Sequence, residues 1–578
     1  MSQFATDPII HLFAPFRRTR PALLWLLVSA VITPLTSAVE TRRWSPTDFG
    51  ATADGATLNT TAFQRAIDAA HTAGGGTVAV PAGRYLTGTL ELRSGVTLHL
   101  EKGAELLGSP HVADYRRGKW PALILATGQE RIALTGEGTI DGQGKLVAQD
   151  TIRIFESGRL VNFFPGLSPG QTVNLGTDTT EGRTIDPHAM QRAGTLTSVV
   201  AQRSRADMTT WRVDENVRPQ LIEFSHCHDV RVSGITLKNA ANWVQSYRMC
   251  DNLEIAGVRV DSTSYWNNDG LDLVNCRSVR ITDCDINAAD DGICLKSEPN
   301  SEGRGCEDVV IANCRIRSSA SAVKFGTASY DGFRRIRIYD IDIRDTYRSA
   351  IALESVDGAV IEDIEVNHVR ARNTGNAFFL RLGQRNPAKP PGILRHVVLS
   401  DIEVEISAGK PDAGYEHEGP PLKFLANIMP ASIVGLPDRP IEDVVLRNVT
   451  ITYGGGAVRT RAEMPLNRLA EVPENRAGYP EFTMFGELPS WGFYLRHATG
   501  VRFENVTLQF TSPDFRSAIV ADNLHGFAID GLTIRSAGEE PVLVLSGVSG
   551  ESWQNIEWPS GVREKIRRVP ATAGPPER

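Results

Sequence analysis

Apolar residues recur at relative positions 0, 3, 5, 8 and 10 in a series of segments, with Gly, Asp or Asn often at position 7. The segments begin at Cys227, Cys250, Cys276, Cys306, Phe333, Val356, Leu394, Ile441, Ala498 and Leu524, with Val356 and Ala498 the weaker members. Positions 3 and 5 alternate with polar residues, as a half-buried strand requires, and so do positions 8 and 10. The polar pair between them interrupts the alternation and predicts a bend. Each copy is therefore strand, bend, strand. The first five copies start 23 to 30 residues apart, a coil length that suits one rung of a parallel β-helix. An α-solenoid needs a 3.6-residue period, which is absent. A β-propeller needs tight hairpins, and Asn-Gly or Asp-Gly pairs do not recur at that spacing. The expected fold is all-β, a parallel β-helix solenoid of about ten or more rungs.

The pattern changes at the N-terminal side. Thr61-x-x-Gln64 is a capping-box signature. Phe63, Ala66, Ile67 and Ala70 then follow helical spacing, and Gly74-Gly75-Gly76 ends it. A short N-terminal capping helix there covers the open end of the coil, which otherwise exposes strand edges. Residues 145–217 leave the repeat, with few apolar runs and many Gly, Thr and charged residues. They are expected to be an inserted loop, either a lid or a disordered insertion. Arg17, Arg18 and Arg20 precede an apolar run from Pro21 to Leu35, followed by Thr36-Ser37-Ala38. That order predicts a signal peptide over 1–38, too short and too interrupted by Pro34 for a membrane span. The expected organisation is 1–38 signal peptide, 39–545 β-helix with 145–217 inserted, and 546–578 a C-terminal tail. The expected location is secreted or periplasmic, with no stable membrane insertion after cleavage.

Composition narrows the classes further. The 578 residues are 41 % apolar and 22 % charged, a globular balance, with a formal charge of −7. That charge argues against a nucleic-acid partner, whose binding needs a clustered basic surface. Seven cysteines lie between Cys227 and Cys314. Export permits disulfides, but the odd count leaves one unpaired and the absence of CxxC argues against zinc. Cys227, Cys250, Cys276 and Cys306 share one repeat position and Cys284 and Cys314 another, as small core fillers of stacked rungs would.

The strand before each copy yields a second column. Asn242-WVQS, Asp269-GLDL, Asp291-GICL, Ser321-AVKF, Ser349-AIAL and Asn376-AFFL align. Adjacent rungs stack ~4.8 Å apart, so Asp269 is expected beside Asp291 and Asn268 beside Asp290, with Asn267 one step out. Carboxylates so close repel, which raises the pKa of at least one and separates acid from base roles. A solvated turn also uses Asp, Asn and Gly, but two such clusters on neighbouring rungs are less readily explained that way. Lys324 falls in the column of Asp272 and Cys294, and Lys296, Glu354 and Arg381 in one two residues on. These cations either neutralise the acids or contact an anionic sugar. Trp243, Tyr265 and Trp266 suit stacking on sugars or plain packing.

These residues resemble glycoside hydrolase family 28, the polygalacturonases and their relatives. The likeness runs from about Phe49 to Ile534. It includes Phe49-Gly50-Ala51, Gly74-Gly75-Gly76-Thr77-Val78, Ile140-Asp141-Gly142-Gln143-Gly144 and Arg218-Pro219. Asn267-Asn268-Asp269-Gly270 looks like the family's Asn-Thr-Asp-Gly motif, and Asp290-Asp291-Gly292 like its Gly-Asp-Asp-Cys motif. The resemblance implies a right-handed single-stranded parallel β-helix that hydrolyses a pectin-like or other acidic polysaccharide with inversion. It assigns Asp290 as general acid, with Asp269 and Asp291 activating water, and needs no metal or cofactor. Two departures stand out. Ser321 occupies the place of the family's motif histidine, and Ala352 and Glu354 replace its carboxylate-gripping Arg and Lys. Plain homogalacturonan is therefore not the expected substrate, and a rhamnogalacturonan-type or other branched glycan fits better. Two alternatives remain at this level. One is a lyase with calcium on the aspartates and Lys324 as base. The other is a non-catalytic glycan-binding β-helix.

Overall fold

The computed structural model describes residues 42–156, 177–178, 183–184, 218–419, 429–459 and 469–570. The predicted signal segment 1–38 and most of 145–217 lie outside these residues. Within the described chain, 34 strands form one hydrogen-bonded ladder, and their pairing is parallel except between Arg116–Arg117 and the strand Pro121–Thr127. Each rung pairs with the next along its length. The segment Cys306–Ser318 pairs with Gly332–Ser355, which pairs with Val360–Leu382 and then with Ile393–Ile406. This is a parallel β-helix, whose crossovers are right-handed because right-twisted strands pack back only that way.

The repeat positions have a backbone cause. Position 7 holds Gly234, Gly257, Asp283, Asn313, Asp340, Asp401, Asn448, Asn505 and Gly531, each with positive φ. Position 2 does the same, with Asp229, Asn252, Ser278, Asp308, Arg335, His396, Asp443, Gly500 and Gly526. Gly, Asn and Asp tolerate the left-handed region best, so the coil turns at two places per copy, only one of which stood out in the sequence. Several bends also bond between rungs. Asn448 donates to Asp401 Oδ1 at 2.9 Å, and Asn505 to Asn448 Oδ1 at 2.9 Å.

Positions 0, 3, 5, 8 and 10 point inward. Val230, Val232, Ile235 and Leu237 of the first copy are 0–2 % exposed, and later rungs repeat this. Burying a side chain of this size contributes about 1.5–3 kcal/mol. All seven cysteines are buried and free. Six of them fill core columns as small side chains, as their positions predict, whereas Cys294 lies outside that core, beside Lys296.

Four expectations need correction. The Val356 copy starts five residues later, because Phe333 pairs with Ile361 and Leu394 with Ile361 on the other side. Val356 instead sits in the turn, its N–H donating to Ser329 Oγ at 2.9 Å. The capping helix α1 spans Thr60–Thr72 and buries Phe63, Ala66, Ile67 and Ala70 as predicted, but Asn59 occupies the N-cap position. Gln64 is not a capping partner. Its amide bonds both backbone groups of Glu91, at 2.9 and 3.1 Å, and so seals a strand edge. The start of 145–217 is a helix, α2 (Gly144–Glu156), which buries Val147, Ala148 and Thr151. The β-helix also continues past residue 545, through strands Ser552–Glu557 and Ile566–Val569. An eleventh copy begins at Val548, with Trp553 and Ile556 packed on the core. Its exposed polar residues hide the apolar period.

Rung spacing leaves no room for side chains at some positions. A Cβ on Gly492 would lie 2.5 Å from the Ala518 carbonyl oxygen of the next rung. Gly492→Ala is expected to destabilise the fold by about 1–3 kcal/mol through overpacking, read as a lower denaturant midpoint at an unchanged m-value.

Candidate active site

Five strands carry the site: β1 (Gln245–Arg248), β2 (Leu271–Val274), β3 (Ile293–Ser297), β4 (Val323–Ser329) and β5 (Gly332–Ser355). Asp272 pairs with Cys294 and Cys294 with Lys324. Just ahead of these pairs, the Gly270 N–H donates to the Asp291 carbonyl at 2.8 Å and the Asp290 N–H to the Asn268 carbonyl at 3.3 Å. Asp269 thus stacks on Asp291 and Asn268 on Asp290, as the column predicts. On β1 the register is one residue off the expectation. Ser246 pairs with Asp272, which brings Trp243 rather than Asn242 into the column before Asp269.

The glycine after each aspartate is a steric requirement. A Cβ on Gly270 would lie 2.7 Å from the Gly292 carbonyl oxygen, and one on Gly292 2.6 Å from that of Ala322. Ala322, Ala350 and Ala377 continue this small-residue column on later rungs. The aspartates can approach closely because their successors have no bulk.

The carboxylates are divided by their neighbours. Asp291 accepts the Ser321 N–H at 3.0 Å and lies 3.1 Å from Lys324 Nζ. Burial works against its charge, but Lys324, Arg348, Lys296 and the Ser321 amide outweigh burial and hold Asp291 below the usual carboxylate range. Asp290 goes the other way. Burial and the Asp291 charge raise its carboxyl, against the pull of Arg348, Lys324 and Lys296. Asp269 is pushed well above the ordinary range by burial and by Asp272, with Lys296 opposing. Asp291 is therefore displaced downward while Asp290, Asp269 and Asp272 are displaced upward, the kind of separation that acid–base chemistry uses.

Lysines form the floor. Lys296 Nζ lies 3.1 Å from Asp269 Oδ2, contacts Asp272, and sits 4.3 Å from the centroid of the Trp243 ring. Asp272, raised by burial to about 6, completes this pair of acids on one ammonium. Asp269, Asp272 and Cys294 place donor atoms within 4.8 Å of one another, the spacing of a cation site. Lys296 Nζ, 3.1 Å from Cys294 Sγ as well, stands where such a cation would. Lys324 is 3.9 Å from Glu354, whose carboxyl burial raises to about 7 against the Lys324 charge.

Two family models match the chain. Glycosyl hydrolases family 28 matches residues 201–302, and rhamnogalacturonase A/epimerase, pectate lyase-like, matches 45–111. The first span holds Asp269, Asp290 and Asp291. A probable polygalacturonase of Vitis vinifera is 27 % identical over 373 residues, covering 60 % of this chain and 64 % of the relative. An exo-poly-alpha-D-galacturonosidase of Dickeya chrysanthemi is 29 % identical over 284 residues, covering 46 % and 43 %. The chain is thus similar to the family 28 glycosyl hydrolases over the span that carries these aspartates. It spans less than two thirds of the length of these curated relatives. An exopolygalacturonase of Thermotoga maritima shares the fold, with a TM-score of 0.53 at 22 % identity over 71 % of this chain and 87 % of that one.

Most predicted site residues come together and two do not. Asp269, Asp290, Asp291, Lys296, Lys324, Glu354 and Trp243 form one connected cluster. Asn267 lies at its edge, its Oδ1 accepting from Arg218 at 2.6 Å. Trp266 packs against His417, with ring centroids 5.4 Å apart. Arg381 does not face the site. It is buried and donates to the carbonyls of Gly435, Glu474 and Asn475, at 3.2, 2.6 and 3.1 Å. Lys296 and Glu354 do not share a continuous column either, because the ladder slips between Leu295 and Ser297 opposite Gly326. The sequence reading also missed Arg348, and it missed Tyr479 and Glu481 on the segment 469–489. Arg348 falls in the column of Asp290 through Ala320, whose carbonyl accepts its N–H at 2.8 Å, so column alignment alone would have found it. No periodicity marks Tyr479 or Glu481.

Glu354 gives a pH test. A free Glu titrates near 4.3, so the folded chain holds this proton more tightly and stability falls as pH rises from about 4 to about 7. Glu354→Gln removes that loss. The melting temperature of the variant relative to wild type is expected to rise between about pH 5 and about pH 8, as checked by thermal melts.

Proposed function

We propose that this protein is a secreted or periplasmic glycoside hydrolase that cleaves a pectin-like acidic polysaccharide with inversion. The observation that carries the reading is the opposite displacement of adjacent carboxyls, with Asp290 raised and Asp291 lowered. Asp290, part-exposed and with its carboxyl raised by burial and by Asp291, donates a proton to the leaving glycosidic oxygen. Asp291, ionised beside Lys324, takes a proton from the attacking water. Asp269, stacked on Asp291 from the preceding rung, is assigned with it to hold that water. Inversion has the water attack the face of the sugar opposite the leaving oxygen, so acid and base must leave room for it. Trp243 and the half-exposed ring of Tyr479 offer faces for sugar rings.

The names of the relatives, a polygalacturonase and an exo-poly-alpha-D-galacturonosidase, support a galacturonate-containing substrate. Ala352 and Glu354 argue against unbroken homogalacturonan. Both are buried, so the floor at these positions presents neither a cation nor a reachable anion. A mixed or branched acidic glycan fits that floor better. A lyase reading requires a neutral Lys324. Burial disfavours its charge, but Asp291, Tyr479 and Glu354 outweigh this and keep the amine protonated.

Digestion of a panel of pectic and other acidic polysaccharides tests the proposal. Wild type is expected to release reducing ends without ultraviolet-absorbing product, and Asp290→Asn to lose at least about 100-fold of that rate, the usual share of a general acid. The first product anomer, followed by nuclear magnetic resonance, is expected to be inverted. Growth of absorbance, or retention of configuration, would sink the mechanism.

A further inference from the structure

The three cations whose charge reaches Asp290 are Arg348, Lys324 and Lys296. Two of them are out of a substrate's reach, with side chains 2 % and 11 % exposed and committed to Asp291 and to the Asp269–Asp272 pair. Arg348 differs. Its side chain is 19 % exposed. It stands one rung beyond Ala320 in the column of Asp290. Its partner is Glu481, 23 % exposed, with Nε 3.4 Å from Oε1 and no hydrogen bond to Nε. The contact is an ion pair without the bidentate geometry that makes Arg–carboxylate pairs strong.

Glu481 is delivered by a well-anchored segment. Arg381 holds the carbonyls of Glu474 and Asn475, and Arg496 and His497 bind the Glu474 carboxylate at 2.6 and 3.0 Å. Phe482 packs edge-on against Tyr347, the neighbour of Arg348. The same segment brings the exposed ring of Tyr479 to 5.6 Å from Lys324. An exposed aromatic face, a reachable guanidinium and the acid Asp290 thus adjoin one another. The anchored carboxylate holds that guanidinium by charge rather than through a bidentate hydrogen-bonded fork.

We propose that Arg348 is the specificity cation of this cleft, that it binds the carboxylate of one hexuronate residue, and that Glu481 holds its place in the free protein. Arg348 takes over, from the wall, the task for which Ala352 and Glu354 leave no cation in the floor. Among the described residues, Arg348 is the cation beside Asp290 that a substrate can reach, and it serves one carboxylate, so the sugars beside that uronate need not be acidic. The inference rests on the glycan-cleaving reading, but its test does not require cleavage.

Methyl galacturonoside and its methyl ester, titrated calorimetrically into the full chain, provide the probes. Wild type is expected to prefer the acid. Arg348→Gln should weaken acid binding by about tenfold or more, the worth of a hydrogen-bonded charge, and leave the ester unchanged. Glu481→Gln should tighten acid binding several-fold by removing the competitor. Equal weakening of acid and ester in Arg348→Gln, or acid binding weakened by Glu481→Gln, overturns the proposal. If Arg348→Gln shows no cooperative melt, Glu481→Gln carries the decision, because it removes no buried cation. Acid-selective binding without cleavage of any glycan would defeat the hydrolase reading alone. Cleavage with the same preference for acid over ester in wild type and Arg348→Gln would defeat this inference alone.

Discussion

The spacing of one rung on the next governs this molecule. Parallel strands stack ~4.8 Å apart, so whatever occupies a position on one rung meets its counterpart on the next. That single distance makes the core columns, demands positive-φ residues at both bends, and forbids a Cβ at Gly270, Gly292 and Gly492. It also makes the site. Asp269 and Asp291 are distant in sequence, yet the ladder forces them together whatever their mutual repulsion. The fold can impose that contact because the ladder hydrogen bonds and buried columns on either side are many and the repulsive contact is local.

The repulsion is then managed by composition within the same columns. Lys324 lies in the column of Asp272 and Cys294, and its ammonium reaches Asp291. Lys296 closes over Asp269 and Asp272. Breaking such a pair strands a buried charge, at a cost of about 3–5 kcal/mol, although an intact buried pair adds little net stability. The lysines are therefore better understood as assigning protonation states than as strengthening the fold. Asp290, in the next column out, has no ammonium in hydrogen-bonding contact among the described residues, and burial and the Asp291 charge raise its carboxyl. The opposite displacements of these carboxyls thus follow the register.

Much of this was legible in the sequence, and the limits have physical causes. The strand columns placed Asp269, Asp290, Asp291 and Lys324 correctly because period and register are the same information in a solenoid. The alignment failed where the chain departs from one residue per ladder step. It slipped by one at Trp243 and by five at Val356, where apolar turn residues imitate core positions, and it did not see the irregularity opposite Gly326. Arg381 was misplaced for a different reason. Its column is right, but its guanidinium turns away to hold the backbone of 469–489. A column fixes where a Cα lies and says nothing of where a long side chain ends. Segments that cross several rungs, such as those carrying His417 and Glu481, leave no period at all, because their partners are set by tertiary contact.

The exchange of cations between floor and wall follows from the same constraint. A charge on an inward strand position must be satisfied by its immediate rung neighbours, since the ladder fixes its place. At 352 and 354 those neighbours are Lys324 and the buried Arg381. A further cation at 354 would add to both, whereas Glu354 opposes the Lys324 charge. Once that position is acidic, a cation that must meet substrate has to stand outside the stacked strand core, and it needs a carboxylate there to hold it while the site is free. Arg348, just before the strand turns into the small-residue column, meets the first condition. Glu481, brought by a segment that Arg381 and Arg496 clamp from behind, meets the second. Arg381 thus contributes to the site without touching it. Its misassignment from sequence located the right rung and the wrong end of the interaction.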